Sequence, residues 1–163
     1  VYTGFLYAGL MIDSSGAPKV IEFNCRFGDP ETQPIMLRLQ SSLVELIEAA
    51  LDGRLDRTEA RWDPRPSLGV VLAAGGYPGD YRKGDVISGL AQATSPDGKV
   101  FHAGTALRDG QVVTQGGRVL CATALGGNVQ AAQQGAYALA KAIHWDGCFY
   151  RSDIGYRAIQ RES

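Results

Sequence analysis

The sequence predicts an α+β protein in two parts: a β-hairpin with helices, then a small mixed domain of short antiparallel strands and one long helix. Three observations predict this. Near the start, polar and apolar residues alternate with period two on both sides of a turn-forming segment. A capped amphipathic helical stripe follows. After residue 66, short apolar runs alternate with glycine-containing turns and end in a second helical stripe.

The hairpin is predicted from residues 5–12 and 19–25, which flank the turn-forming segment 13–17. Because successive side chains of a strand point to opposite faces, the second strand should separate its residues into two sets. We expect one set to pack and the other to form a polar face. The two sets are Ile21, Phe23 and Cys25, and Glu22, Asn24 and Arg26.

Two helices are expected after the hairpin. Asp29 and Pro30 have the pattern of a helix cap and a first helical position, but Pro34 would interrupt a helix that begins there. We therefore expect a turn at 30–33 and a helix over 34–40. Ser42 and Glu45 form a capping box before a second helix, which a glycine ends at position 53.

Domain boundaries are predicted from the change in composition. Residues 1–53 form the first domain, and residues 54–66 form a linker because they are charged, contain two prolines and lack periodicity. Residues 67–163 form the second domain. Its strands are expected at 68–74, 86–87, 99–105, 111–114 and 118–125, followed by a helix capped by Asn128 and a short strand or extended arm at 148–159. Gly135 should weaken that helix by about 1 kcal/mol. The glycine-rich loop 75–81 has two interpretations, an anion-binding loop or a simple turn, and the turn is favoured.

Composition limits the classes of function. A net charge of −1 without a basic run gives no sign of nucleic-acid or anionic-membrane binding. No apolar run approaches the roughly 20 residues of a membrane span, and nothing resembles a signal peptide. Three widely spaced cysteines indicate reduced thiols in a cytoplasmic protein. Because the chain begins with Val1 inside a predicted strand, we expect a piece of a longer protein.

The polar face of the second strand carries the candidate chemistry. Glu22 and Asn24 offer two hard oxygen ligands of the kind that Mg²⁺ takes when it also binds phosphates. Arg26 can hold a phosphate or a carboxylate with paired donors. The alternative is the solvated polar face of an edge strand, which has the same alternation.

A longer stretch of sequence distinguishes the metal site from the solvated polar face. Residues 22–33, Glu-Phe-Asn-Cys-Arg-Phe-Gly-Asp-Pro-Glu-Thr-Gln, resemble the signature of the phosphoribosylamine–glycine ligase (glycinamide ribonucleotide synthetase) family of ATP-grasp enzymes. The resemblance extends upstream through residues 2–11 and downstream through 68–81 and 154–159. It implies that the first domain is the C-terminal edge of an ATP-grasp domain and that the second is the ligase's C-terminal domain.

The resemblance also implies roles. Glu22 and Asn24 would bind Mg²⁺ or Mn²⁺, and Arg26 would act in catalysis. Met11 and Ile21 would contact the adenine of ATP, unless they are ordinary core residues. The other substrates would be glycine and 5-phosphoribosylamine, and the missing N-terminal domains would supply the rest of the site.

ATP-grasp enzymes often carry another acid on the preceding strand, and residues 8–11 contain none. We therefore expect this piece to be inactive by itself. The alternatives are another ATP-grasp carboxylate–amine ligase and a non-catalytic binding or structural module.

Overall fold

The computed structural model describes residues 2–162. The chain divides into two compact units: a first unit of Val1–Thr32 with Leu39–Trp62, and a second unit of Gln33–Arg38 with Asp63–Ser163. The first contains a hairpin and helices, and the second contains short antiparallel strands and the longest helix. The predicted fold class is therefore confirmed.

The hairpin of the first unit pairs β1 (Tyr7–Ile12) with β2 (Pro18–Asn24) in antiparallel fashion. Its turn is held by Asp13, whose Oδ1 accepts hydrogen bonds from the Ser15 hydroxyl and backbone N–H at 2.6 and 2.9 Å. These bonds lower the pKa of Asp13. The register shifts after Gly9, since Gly9 pairs with Glu22 but the next residue pairs with Val20. Ile21 is therefore the extra residue of a β-bulge.

The expected packing of Ile21, Phe23 and Cys25 is wrong. Ile21 and Phe23 are 64% and 59% exposed, and Cys25 is also exposed. Tyr7 and Asn24, on the other face, are half-buried. No element among residues 2–162 covers the apolar face of this two-stranded ribbon, and the bulge interrupts the predicted alternation at Ile21.

The helices differ from the prediction mainly at their ends. Helix α1 spans Thr32–Arg38, so it begins two residues before the predicted start and Asp29 is not its cap. Pro34 is accommodated in the first turn, where its missing N–H needs no intrahelical partner. Helix α2 spans Leu43–Leu51 with the predicted cap, a 3.3 Å hydrogen bond from the Glu45 N–H to Ser42 Oγ. The segment after it contains a one-turn 3₁₀ helix, Leu55–Arg57.

The second unit contains β3 (Ser67–Ala73), β4 (Gly98–His102), β5 (Thr105–Arg108), β6 (Gln111–Thr114) and β7 (Arg118–Leu125). Strand β7 lies between β3 and β4 in an antiparallel sheet, and β5 and β6 form a separate hairpin. The predicted strand 99–105 is therefore two strands. The predicted strand 86–87 is reduced to an isolated bridge from Val86 to Val113.

Helix α3 (Val129–Lys141) packs on this sheet and is capped as predicted, because the Ala131 N–H donates to Asn128 Oδ1 at 2.8 Å. Its buried residues are Ala132, Ala136, Leu139 and Ala140. The final segment first pairs Phe149 with Ala73 and then forms α4 (Tyr156–Glu162), where a short strand or an extended arm was expected. Among residues 2–162, no helix is both long and apolar enough to cross a membrane.

The glycine-rich loop 75–81 is packed against backbone and aromatic groups. A Cβ at Gly75 would lie 2.9 Å from the carbonyl oxygen of Gly147, and the ring of Tyr77 lies where a Cβ on Gly117 would be. Glycine is therefore needed at positions 75 and 117 because neighbouring groups approach the backbone too closely for a side chain. This packing agrees with the favoured interpretation of the loop as a turn.

Candidate metal-binding face of the hairpin

The three predicted polar side chains contact one another in order along one face. Asn24 Nδ2 donates to Glu22 Oε1 at 3.0 Å, and Arg26 Nη2 donates to Asn24 Oδ1 at 3.5 Å. Glu22 and Arg26 are exposed and Asn24 is half-buried. The period-two pattern of β2 thus places the Glu22 carboxylate and the Asn24 amide on one face, and the bend after β2 brings the Arg26 guanidinium next to them.

The spacing of Glu22 and Asn24 fits two neighbouring ligands of one small cation. In an octahedral Mg²⁺ shell with bonds of 2.0–2.1 Å, adjacent ligand atoms are about 3 Å apart. The two side-chain ends are separated by that distance, and a half-turn of the Asn24 amide exchanges its nitrogen for its oxygen. The donor set therefore fits a hard divalent cation.

Glu22 and Asn24 are only two of the ligands that a complete cation site would need. Gly9 lies opposite Glu22 in the register, so β1 presents no carboxylate there. A Cβ at Gly9 would lie 3.2 Å from Glu22 Cγ, which shows that the glycine leaves room for the Glu22 side chain. Among residues 2–162, no group of three or more His, Cys, Asp or Glu side chains could hold a metal ion.

Arg26 is positioned by the bend that follows β2. Its Nη1 donates to the carbonyl oxygen of Phe27 at 2.9 Å, and the Phe27 ring stacks on Phe5 with centroids 4.0 Å apart. These contacts fix the bend near the start of the hairpin. A guanidinium has five N–H donors, so two hydrogen bonds leave others for an anion.

Sequence reasoning missed two residues near this face, Tyr7 and Glu31. Tyr7 pairs with Asn24 in the register, and its hydroxyl donates to Glu31 Oε1 at 3.2 Å. The charge and hydrogen bond of Glu31 raise the pKa of Tyr7; loss of solvation and the charge of Glu22 raise it further, and Arg26 opposes them. The sequence does place Tyr7 on the same face of β1 as Gly9, two positions later. It does not give the register between the strands, which is needed to place Tyr7 opposite Asn24.

Met11 and Ile21 remain candidates for contact with a nucleotide base. They are 58% and 64% exposed, so within residues 2–162 they are not core residues. Met11 is two positions from Gly9 along β1 and therefore on the same face as that glycine. An exposed apolar side chain near the candidate cation ligands is suited to contact with an aromatic base.

Two family models match this chain, one in each part. Residues 1–32 match the family model described as "Phosphoribosylglycinamide synthetase, ATP-grasp (A) domain". Residues 67–157 match the model described as "Phosphoribosylglycinamide synthetase, C domain". The chain therefore belongs to the phosphoribosylglycinamide synthetase family, whose ATP-grasp class uses ATP and a divalent metal ion.

Curated relatives are similar along almost the whole chain. Proteins named phosphoribosylamine–glycine ligase from Pseudomonas aeruginosa, Vibrio cholerae and Escherichia coli are 79%, 73% and 71% identical over 162, 161 and 162 residues. Each match covers 99% of this chain and 38% of the relative. The chain thus spans about two fifths of the length of these relatives.

A solved structure supports the fold. The crystal structure of phosphoribosylamine–glycine ligase from Thermotoga maritima matches with a TM-score of 0.73 at 37% identity. The match covers 91% of this chain and 36% of that protein. The family resemblance and the fold class are both confirmed.

Proposed function

We propose that this chain forms the C-terminal part of an ATP-dependent phosphoribosylamine–glycine ligase of purine synthesis. In the proposed reaction, a glycine carboxylate oxygen attacks the γ-phosphorus of ATP, which releases ADP and gives glycyl phosphate. The amine of 5-phosphoribosylamine then attacks the carbonyl carbon and expels phosphate, which gives glycinamide ribonucleotide. The relatives' printed name and the motif at residues 22–33 support this proposal.

The proposed roles follow from the chemistry of each side chain. Glu22 and Asn24 hold Mg²⁺ or Mn²⁺, which offsets phosphate charge during transfer when it is bound. Arg26 donates to the transferred phosphoryl group or to a substrate carboxylate. Met11 and Ile21 contact the adenine ring.

The proposed domain organisation assigns residues 1–53 to the ATP-grasp domain, 54–66 to a linker and 67–163 to the C-terminal domain. Fourteen of the eighteen exposed large hydrophobic side chains among residues 2–162 lie in the first unit. We expect the N-terminal domains of a full-length ligase to cover many of these side chains, because extensive exposed apolar surface marks an interaction site. The proposed location of that ligase is the cytoplasm.

The contact between Asn24 and Glu22 supports the proposal, since it shows two side chains with hard oxygen atoms next to each other on one exposed face. The test uses a full-length ligase whose C-terminal part is this sequence. Glu22→Gln preserves shape but removes the charge that holds the cation. We expect turnover to fall at least about 100-fold, because metal-ion catalysis contributes several kcal/mol to phosphoryl transfer, with little change in the thermal midpoint.

Glu48→Gln is the matched control, because Glu48 is an exposed glutamate on α2 within the same unit. It should leave turnover unchanged. Near-normal turnover of Glu22→Gln, or a loss that parallels its thermal destabilisation, would contradict the metal-ligand role.

A further inference from the structure

Tyr7 and Glu31 connect the two ends of the segment that carries the candidate cation ligands. Tyr7 lies on β1, and Glu31 lies in the turn between β2 and α1, 24 positions later. The 3.2 Å hydrogen bond from the phenol hydroxyl to the carboxylate therefore fixes that turn against the first strand. Neither residue has a role in the function proposed above.

Tyr7 is also the cross-strand neighbour of Asn24. Directly paired residues of an antiparallel sheet share a face, with Cβ atoms about 4.5–5.5 Å apart. Both residues are half-buried, whereas the adjacent pair, Ala8 and Phe23, is exposed. Tyr7 and Asn24 are therefore neighbours on one face of the hairpin, where Glu22 accepts a hydrogen bond from the Asn24 amide.

Gly28 supplies the space in which Tyr7 and Glu31 meet. It is the one buried residue among residues 2–32, and its φ lies outside the left-handed region. A Cβ there would overlap Glu31 Oε2 and lie 2.8 Å from Cδ2 and Cε2 of Tyr7. The requirement for glycine is therefore one of space. Thr32 closes the same turn, since its N–H and hydroxyl both donate to the Gly28 carbonyl at 3.1 and 2.5 Å.

We propose that Tyr7 and Glu31 are positioning residues for the cation ligand Asn24, with their hydrogen bond holding the phenol ring against the Asn24 side chain. This rests on the proposed function, in which Asn24 and Glu22 bind the cation. An Asn side chain can rotate its amide away from a ligand position, and a ring packed against it restricts that rotation. Tyr7 and Glu31 themselves contact neither cation nor substrate.

The test uses the full-length ligase whose C-terminal part is this sequence, with Mn²⁺ as the probe, measured by electron paramagnetic resonance in the presence of ADP. Tyr7→Phe removes the donor and Glu31→Ala removes the acceptor. We expect each to weaken Mn²⁺ binding about 10-fold, the lower end of the effect of residues that orient metal ligands. The value of kcat should fall, while KM for glycine stays unchanged.

Three further variants separate positioning from other roles. Glu31→Gln keeps an acceptor oxygen and should bind Mn²⁺ nearly as well as the native protein. The double variant Tyr7→Phe/Glu31→Ala should bind Mn²⁺ as tightly as either single variant, because each substitution removes the same hydrogen bond. Gly28→Ala should reproduce the loss without changing either polar group.

Tyr2→Phe and Glu48→Ala are the controls, a phenol and a glutamate of the same unit outside this contact, and both should bind Mn²⁺ normally. If Tyr7→Phe, Glu31→Ala or Gly28→Ala binds Mn²⁺ normally while Glu22→Gln does not, the positioning role is overturned and the proposed function stands. Additive losses in the double variant also overturn it.

Normal Mn²⁺ binding by Glu22→Gln overturns both proposals, because the cation is then held elsewhere. Thermal midpoints keep the result interpretable: a variant with a lowered midpoint and normal Mn²⁺ affinity has lost only structural support, which counts against positioning.

Discussion

Replacement of Gly135 by alanine tests how closely α3 packs on the sheet of the second unit. In an open helix this change should stabilise the protein, since glycine costs about 1 kcal/mol relative to alanine. Here a Cβ at position 135 would lie 2.9 Å from Cβ of Ala124 on the central strand β7. The added methyl therefore meets a buried strand instead of solvent.

The two effects can be compared in magnitude. Carbon atoms in favourable contact are about 3.5–4.0 Å apart, so α3 would have to retreat by about 0.6–1.1 Å. Ala132 and Ala136, one turn before and one residue after Gly135, are fully buried, which prevents a local adjustment. Overpacking of this kind costs about 1–3 kcal/mol. After subtraction of the helix-propensity gain, Gly135→Ala should destabilise the second unit by about 0–2 kcal/mol.

The assay is urea denaturation, followed by far-UV circular dichroism and by the fluorescence of Trp145, which is buried in this core. Ala138→Gly, at an exposed position of α3, calibrates the propensity effect and should cost about 1 kcal/mol. Combining Gly135→Ala with Ala124→Gly removes the overlap and should show a favourable coupling of about 1–2 kcal/mol. If Gly135→Ala alone raises the free energy of unfolding by as much as Ala138→Gly lowers it, the close-approach explanation is refuted.

Three other predictions concern charge and the candidate site. The hydrogen bonds of Arg65 lower the pKa of Asp63 to about 2. The ionised Asp63 therefore stabilises the fold above the unfolded pKa of about 3.9, and this stabilisation is lost as pH falls through 2. The difference in thermal midpoint between the native chain and Asp63→Asn should shrink from pH 5 to pH 2, and a constant difference would contradict this. Gly9→Ala should displace Glu22 by a few tenths of an ångström and weaken Mn²⁺ binding by the full-length ligase at an unchanged thermal midpoint, which normal Mn²⁺ affinity would disprove. The isolated chain should bind ATP with a dissociation constant in the millimolar range or weaker, and it should release no phosphate with glycine and phosphoribosylamine, since it supplies one wall of the site. Micromolar affinity by calorimetry would show that the site is more complete.

Most of the fold could be predicted because its signals are local. Ser42 and Asn128 cap their helices through hydrogen bonds three residues away, and the hairpin turn is held by bonds from Asp13 to its near neighbours. Helix α4 was missed because its seven residues carry no cap that the sequence reveals. The role of Gly135 was also missed, because a helix propensity contains no information about Ala124 on a distant strand.

The candidate site was predictable only in part, for the same reason. Glu22 and Asn24 were placed together because alternation along one strand is a local property, and Arg26 follows two residues later in the bend after β2. Tyr7 and Glu31 required the register between two strands and the path of the following turn. Register depends on the bulge at Ile21, which nothing in the alternating pattern indicates.

The exposed apolar surface around this face bears on how strongly it can bind a cation. Glu22 is itself exposed, and so are Ile21 and Phe23, its sequence neighbours on the apolar side of the strand, so within this chain the carboxylate faces high-dielectric solvent. Covering both faces of the hairpin in a full-length ligase would lower the local dielectric constant and strengthen the attraction between Glu22 and a divalent cation. The same covering would raise the penalty for a misplaced or unpaired ligand. The fixed position of Asn24 therefore matters more in the assembled site than in the isolated chain, which is why the positioning contact is tested in the full-length protein.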